Sequence, residues 1–132
     1  MNTPASTPPG AAGAKSANSA IGTDGPSRPQ RVALSATQII AKLSSLSGWK
    51  LHGDGADVAI EKTFAFKNFL RTMSFVNAVA YLAESADHHP ELLVSYGSCS
   101  VRFNTHDVQG ISVTDFECAA RVDALASPAA QP

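Results

Sequence analysis

No apolar run in this chain approaches the roughly 20 residues that a membrane-spanning helix needs, so no membrane partner is expected. Neither sign of charge is in excess: Lys and Arg total 10 and Asp and Glu 11, a net charge of −1. That balance gives no electrostatic footprint for nucleic acid, and none is expected as a partner. Cysteine is scarce. Cys99 and Cys118 are too few for a disulfide framework and lack metal-type spacing, so both read as small buried hydrophobes in a reducing compartment. The N-terminal stretch has no apolar central segment of the secretory kind, and the expected location is cytoplasmic. No phosphate-cradling glycine loop is present.

Large apolar residues are nearly missing from residues 1 to 30, which are rich in Pro, Gly, Ala, Ser and Thr. Such a stretch buries too little surface to offset its ordering entropy. It also lacks the arginines and amphipathic period of a transit peptide. The reading is therefore a disordered tail over 1–31, one domain over 32–126 and a frayed end over 127–132.

Within the domain the pattern changes. Ser35-Ala36-Thr37-Gln38 has capping-box form, with Leu34 and Ile39 at the staple positions. Ile39, Ile40, Leu43 and Leu46 then recur at helical spacing up to Gly48. Trp49 to His52 reads as a short strand, and Gly53-Asp54-Gly55 as a turn. Val58 to Phe66 alternates, with Val58, Ile60, Phe64 and Phe66 on one face and Lys62 interrupting it. Asn68 is placed to cap a long helix, whose expected inner stripe is Phe69, Met73, Val76, Ala80 and Ala83, flanked by Phe75, Val79 and Leu82.

Leu92–Tyr96 and Cys99–Phe103 read as a hairpin about Gly97-Ser98, a pair suited to a type II′ turn. That register pairs Tyr96 with Cys99, Val94 with Val101 and Leu92 with Phe103, all on the core face. Leu93, Ser95, Ser100 and Arg102 fall on the other. Extended outward past the strands, it sets His89 opposite His106 and so brings these two histidines near one another. Ser112-Val113-Thr114-Asp115 starts a third helix, with Asp115 in the box position and Phe116, Ala119 and Val122 inward. The expected fold is α+β: a four-stranded antiparallel sheet with three helices packed on one face.

The chemistry concentrates in one stretch. Three of the 4 histidines are His88, His89 and His106, and Glu84 stands one helical turn before His88. Pro90 ends the helix and disfavours the α conformation at His89, which places both histidines where helix gives way to strand. Three readings compete. Three histidines with a carboxylate could bind zinc, although neighbouring histidines rarely aim both rings at one ion and no His-x-x-x-His pair exists. Imidazoles could serve as acid and base without a metal. The exposed sheet face could make this a non-catalytic interaction module.

A resemblance chooses among them. Gly48-Trp49, Phe64-Ala65-Phe66-Lys67-Asn68-Phe69, Asp87-His88-His89-Pro90-Glu91, Tyr96, Thr105-His106, Gly110 and Asp115-Phe116 together resemble the pterin-4a-carbinolamine dehydratases, from about Leu34 to Leu125. The resemblance implies dehydration of 4a-hydroxytetrahydrobiopterin to quinonoid dihydropterin in tetrahydrobiopterin recycling, with no metal and no cofactor. It implies His88, His89 and His106 as the catalytic residues, and Glu84, Asp87 and Asp115 as binding or orienting residues. It also implies a small-molecule pterin as partner, and a homodimer or homotetramer. One branch of the family serves as a dimerisation cofactor for a transcription factor, which is the alternative function. Two positions depart from the common pattern: Leu92 stands where many members have tryptophan, and Thr114 where some have arginine.

Overall fold

The computed structural model describes residues 31–127. The expected tail therefore lies outside the described residues except for Arg31, and the expected frayed end except for Ser127. Helices α1 (Ala36–Leu43), α2 (Phe69–Ala86) and α3 (Val113–Ala126) accompany strands β1 (Lys50–His52), β2 (Ala59–Ala65), β3 (Glu91–Val94) and β4 (Ser98–Phe103). All neighbouring strands are antiparallel, in the order β1-β2-β4-β3. The two hairpins join through β2 and β4, which form the centre of the sheet.

Local sequence sets the helix starts as expected. Gln38 N donates to Ser35 Oγ at 3.2 Å while Gln38 Oε1 accepts from Ser35 N at 2.8 Å, closing the capping box of α1. Asn68 Oδ1 accepts from Arg71 N at 2.9 Å and caps α2. Ser112 N donates to Asp115 Oδ2 at 2.9 Å at the start of α3.

Period-two alternation puts Ile60, Phe64, Cys99, Val101 and Phe103 on one face of the sheet. Ile39 from α1, Phe75, Val79 and Leu82 from α2, and Phe116, Ala119 and Val122 from α3 complete a single core on that face. Trp49 packs on Phe64 and Phe103, each at a ring separation of 6.1 Å. The interruption at Lys62 has a use: Nζ donates to Ser47 O at 2.9 Å and Asp123 Oδ1 at 2.8 Å, and Trp49 Nε1 donates to Asp123 Oδ2 at 3.1 Å. The lysine, still partly exposed, thus ties the loop before β1 to α3. Ile40, assigned to the inner stripe of α1, is exposed.

Two phases differ from expectation. The inner face of α2 is Thr72, Phe75, Val79, Leu82 and Ala83. Phe69 is half exposed and stacks on exposed Tyr96 at 6.5 Å. Counting only apolar residues missed Thr72, whose hydroxyl lies 2.9 Å from Tyr96 O and anchors the helix to the hairpin tip.

The hairpin register is displaced by two residues: Val94 pairs with Cys99, Leu92 with Val101 and Glu91 with Arg102. Ser95 N donates to Ser98 O at 2.9 Å, so Tyr96-Gly97 forms the turn. The phase survives because two is the side-chain period. The turn moves because Gly97 O accepts from Phe66 N at 2.8 Å and Tyr96 O faces Thr72, contacts that a local dipeptide cannot signal. Val94 and Tyr96, expected in the core, are consequently exposed on the edge strand and the turn.

Cys99 and Cys118 are free and buried. Burial pushes both thiols up; at Cys118, Asp115 and Glu117 add to the effect and Arg121 and Arg31 oppose it. With the thiolate suppressed, alkylation at neutral pH should be far slower in the folded protein than after unfolding. Equal rates, read by mass spectrometry, would contradict this packing.

Candidate active site

Helix α2 ends at Ala86, and Asp87 takes the left-handed conformation at φ 47°, ψ 46°. Its N–H donates to Glu84 O at 3.2 Å, and the His88 N–H donates to Ala83 O at 3.1 Å, closing the helix terminus. Aspartate tolerates this conformation better than most residues do. Pro90 then keeps the chain extended. Successive side chains of an extended segment point to opposite faces, so His88 turns into the core and His89 toward the open face of the sheet.

His88 lies parallel to Phe103 at 5.8 Å, and its Nε2 is 2.5 Å from Asp115 Oδ1. Asp115 is fully buried. Its Oδ2 accepts from Thr105 Oγ at 2.7 Å and from Ser112 N at 2.9 Å. Since Thr105 gives its proton to Asp115, Ser112 Oγ donates to Thr105 Oγ at 2.7 Å. A buried carboxylate is tolerated when its lone pairs are filled in this way. Among the described residues no buried side-chain nitrogen or oxygen lacks a partner. His88 Nδ1, which makes no hydrogen bond, therefore sits on the 5 % of the residue that stays exposed.

His89 is held from the other side. Its Nε2 is 2.6 Å from Glu84 Oε1, with both side chains largely exposed. Glu84 thus reaches His89 rather than His88, because the left-handed residue at 87 swings the chain back past the last turn of α2. In both pairs a carboxylate engages Nε2. In the neutral tautomer that this hydrogen bond favours, Nε2 carries the proton and Nδ1 keeps the lone pair.

His106 opens a 3-10 turn, His106–Val108. Thr105 N donates to Gly110 O at 2.9 Å across the neck of this loop, and Gln109 turns left-handed at φ 50°. The same Thr105 is fastened to Asp115 below. Arg31 touches both histidine segments: Nη2 donates to Asp87 O at 3.0 Å and Nη1 lies 3.9 Å from Asp107 Oδ2.

His89 and His106 line one open pocket of about 130 Å³, together with Ala56, Asp57, Glu91, Arg102 and Asn104. The two histidines share this space by a different route from the one expected. In the observed register His89 falls opposite Asn104, and His106 reaches the pocket through its 3-10 turn. His88, expected in the same pocket, does not line it. Asp87 is the helix terminus, exposed and outside the lining. Asp115 caps α3, as anticipated, and also holds His88.

Asp57, Glu91, Arg102 and Asn104 were not expected at the site. For Glu91, Arg102 and Asn104 the signal was the alternation itself, since residues 89 and 91 share a face, as do 102 and 104; Asp57, in a 3-10 turn, had none. Leu92 pairs with Val101 on the core face, and neither it nor Thr114 lines the pocket. Among the described residues, no group of three or more His, Cys, Asp or Glu is arranged to hold a metal ion, and no helix is long and apolar enough to cross a membrane.

A small α+β domain presenting two imidazoles at a polar pocket, one of them oriented by a carboxylate, is of a class suited to proton transfer on a small molecule. The profile described as Pterin 4 alpha carbinolamine dehydratase matches residues 32–125, and the chain belongs to that family. A Paracidovorax citrulli protein named "Putative pterin-4-alpha-carbinolamine dehydratase" is 63 % identical over 95 residues, 72 % of this chain and 82 % of that protein. A Bdellovibrio bacteriovorus protein of the same name is 47 % identical over 104 residues, 76 % and 83 % of the two chains. The crystal structure of a transcriptional coactivator/pterin dehydratase from Brucella melitensis is similar with a TM-score of 0.67 at 30 % identity, covering 72 % of this chain and 99 % of that one. The name these relatives carry is that of a hydro-lyase, and the family implies a pterin substrate.

Proposed function

We propose that this protein dehydrates 4a-hydroxytetrahydrobiopterin to quinonoid dihydropterin by histidine acid–base catalysis, in tetrahydrobiopterin recycling. In this reaction N5 loses its proton, the C4a–O bond breaks, N5 and C4a form a double bond, and the departing hydroxyl leaves as water. One group must accept a proton and another supply one; imidazole does both near neutral pH. The observation that carries this reading is the approach of His89 and His106 to one pocket, with His89 oriented by Glu84. His88, its Nε2 fixed by Asp115, keeps Nδ1 at the surface and serves as a further proton-active group. The chemistry requires no metal or cofactor. The active form is a homodimer or homotetramer in the cytoplasm.

The test is a dehydratase assay with 4a-hydroxytetrahydrobiopterin, before and after exhaustive chelation. Turnover is expected in both samples. Loss with EDTA and recovery with zinc would instead favour a metal centre, and absence of turnover would favour the interaction-module reading.

A further inference from the structure

Part of the pocket's lining, Ala56 and Asp57, comes from a loop with little packing of its own. It joins β1 to β2 through Gly53–Val58 and contains the 3-10 turn Gly55–Asp57. Its residues are exposed up to Asp57, and only at Val58 does the chain begin to bury. Val58 packs against the core, but apolar contacts do not fix residues 53–57.

Hydrogen bonds from the open face of β4 and the residue just past it do. Arg102 Nη2 donates to Asp57 O at 2.6 Å. Asn104 Nδ2 donates to Ala56 O at 3.3 Å and also to Val58 O. The guanidinium is itself held between Glu61 and Glu91, each at 3.7 Å. Gly53, at φ +83°, makes room for the clamp: a Cβ there would lie 2.6 Å from Asp57 O and 3.1 Å from Arg102 Nη2. A side chain at 53 would thus be strained by its backbone and would press on the Arg102–Asp57 contact.

We infer that Arg102 and Asn104 are positioning residues, which clamp the Gly53–Val58 loop by its carbonyls and so set the width of the pocket for a flat heterocyclic substrate. The inference rests on the reading of the pocket as the dehydratase site. Arg102 and Asn104 act through the loop and leave the proton transfers to the imidazoles. Weakening the clamp therefore costs binding more than chemistry. A lysine at 102 can restore the single bond to Asp57 O but cannot also span the two carboxylates, because it lacks the planar fork of arginine.

The experiment compares the full-length wild type with Arg102→Ala, Arg102→Lys, Gly53→Ala and the Arg102→Ala/Gly53→Ala double variant. Three measurements are made: dehydratase kinetics, binding of 7,8-dihydrobiopterin, and amide hydrogen exchange across residues 53–58. Arg102→Ala should raise KM and the dihydrobiopterin Kd about tenfold, the effect of losing one charge-assisted hydrogen bond. It should leave kcat within about threefold, since the imidazoles are untouched. Amide protection at 53–58 should fall in parallel, Arg102→Lys should recover part of each change, and Gly53→Ala should reproduce the pattern with Arg102 itself unsubstituted. The double variant should be no worse than either single one, because both break the same contact.

Affinity lost with loop protection unchanged would make Arg102 a direct ligand contact and overturn the clamp. Unchanged KM and Kd, or additive single effects, would overturn it as well. A wild type that binds dihydrobiopterin but does not turn over the hydroxypterin would refute the dehydratase reading, while the exchange and binding measurements would still decide the clamp.

Discussion

His89→Ala should lower kcat for pterin dehydration about 10²–10⁴-fold, the usual contribution of a general acid or base. The fold should survive, because the side chain is largely exposed and makes its one hydrogen bond to exposed Glu84. His106→Ala should behave similarly, since that residue is exposed at the start of a turn whose neck is closed by Thr105 and Gly110. Stopped-flow rates beside thermal melts check both variants. A wild-type rate in each would make the pocket histidines bystanders. Loss of rate together with loss of fold would show that they serve stability instead.

The second large effect is on stability. Asp115→Ala removes a buried carboxylate that satisfies His88 Nε2, Thr105 Oγ and Ser112 N at once. Breaking a buried pair from one side typically costs about 3–5 kcal/mol, because the abandoned partners stay buried. For a domain of this size that corresponds to a fall in melting temperature on the order of 10 to 30 °C. Thr105→Val removes only a hydroxyl from the same network and should cost about 1–3 kcal/mol. Thermal or denaturant unfolding followed by circular dichroism measures both. An Asp115→Ala protein that melts with the wild type would show that the network contributes little.

The same network explains how the site is built. Asp115 grips His88, the residue before His89, and Thr105, the residue before His106. The two imidazoles at the pocket are thus carried by backbone segments that share a single anchor beneath the sheet's edge.

Much of this was legible in the residues, and the failures have physical causes. Capping boxes are local, and Ser35-Gln38 and Ser112-Asp115 announced two helix starts correctly. Alternation is also local, so the faces of β2 and β4 followed from it. Register is not local: Thr72 and Phe66 select Tyr96-Gly97 as the turn from across the molecule. The displacement of two residues preserved the faces of the paired strands but changed every partner, which is why the register, extended, sets His89 opposite Asn104 rather than His106.

The separation of His88 from His89 was readable in principle, since Pro90 enforces an extended chain and an extended chain alternates. The partners of the two histidines were not readable. Which carboxylate reaches which ring depends on the left-handed turn at Asp87, a position where the sequence offers aspartate rather than the more telling glycine. Alternation put Arg102 and Asn104 on one face, but their hold on the Gly53–Val58 loop was silent for another reason: those bonds run to backbone carbonyls, which every residue has.

The most direct measurement of the central claim is a ¹⁵N-resolved NMR titration of the histidine rings with 7,8-dihydrobiopterin. The chain's 4 histidines supply their own control, since His52 lies in β1 and does not line the pocket. If this pocket is the pterin site, the ring signals of His89 and His106 shift together and saturate with one Kd while those of His52 stay still. Saturable binding that leaves both His89 and His106 unmoved would contradict it.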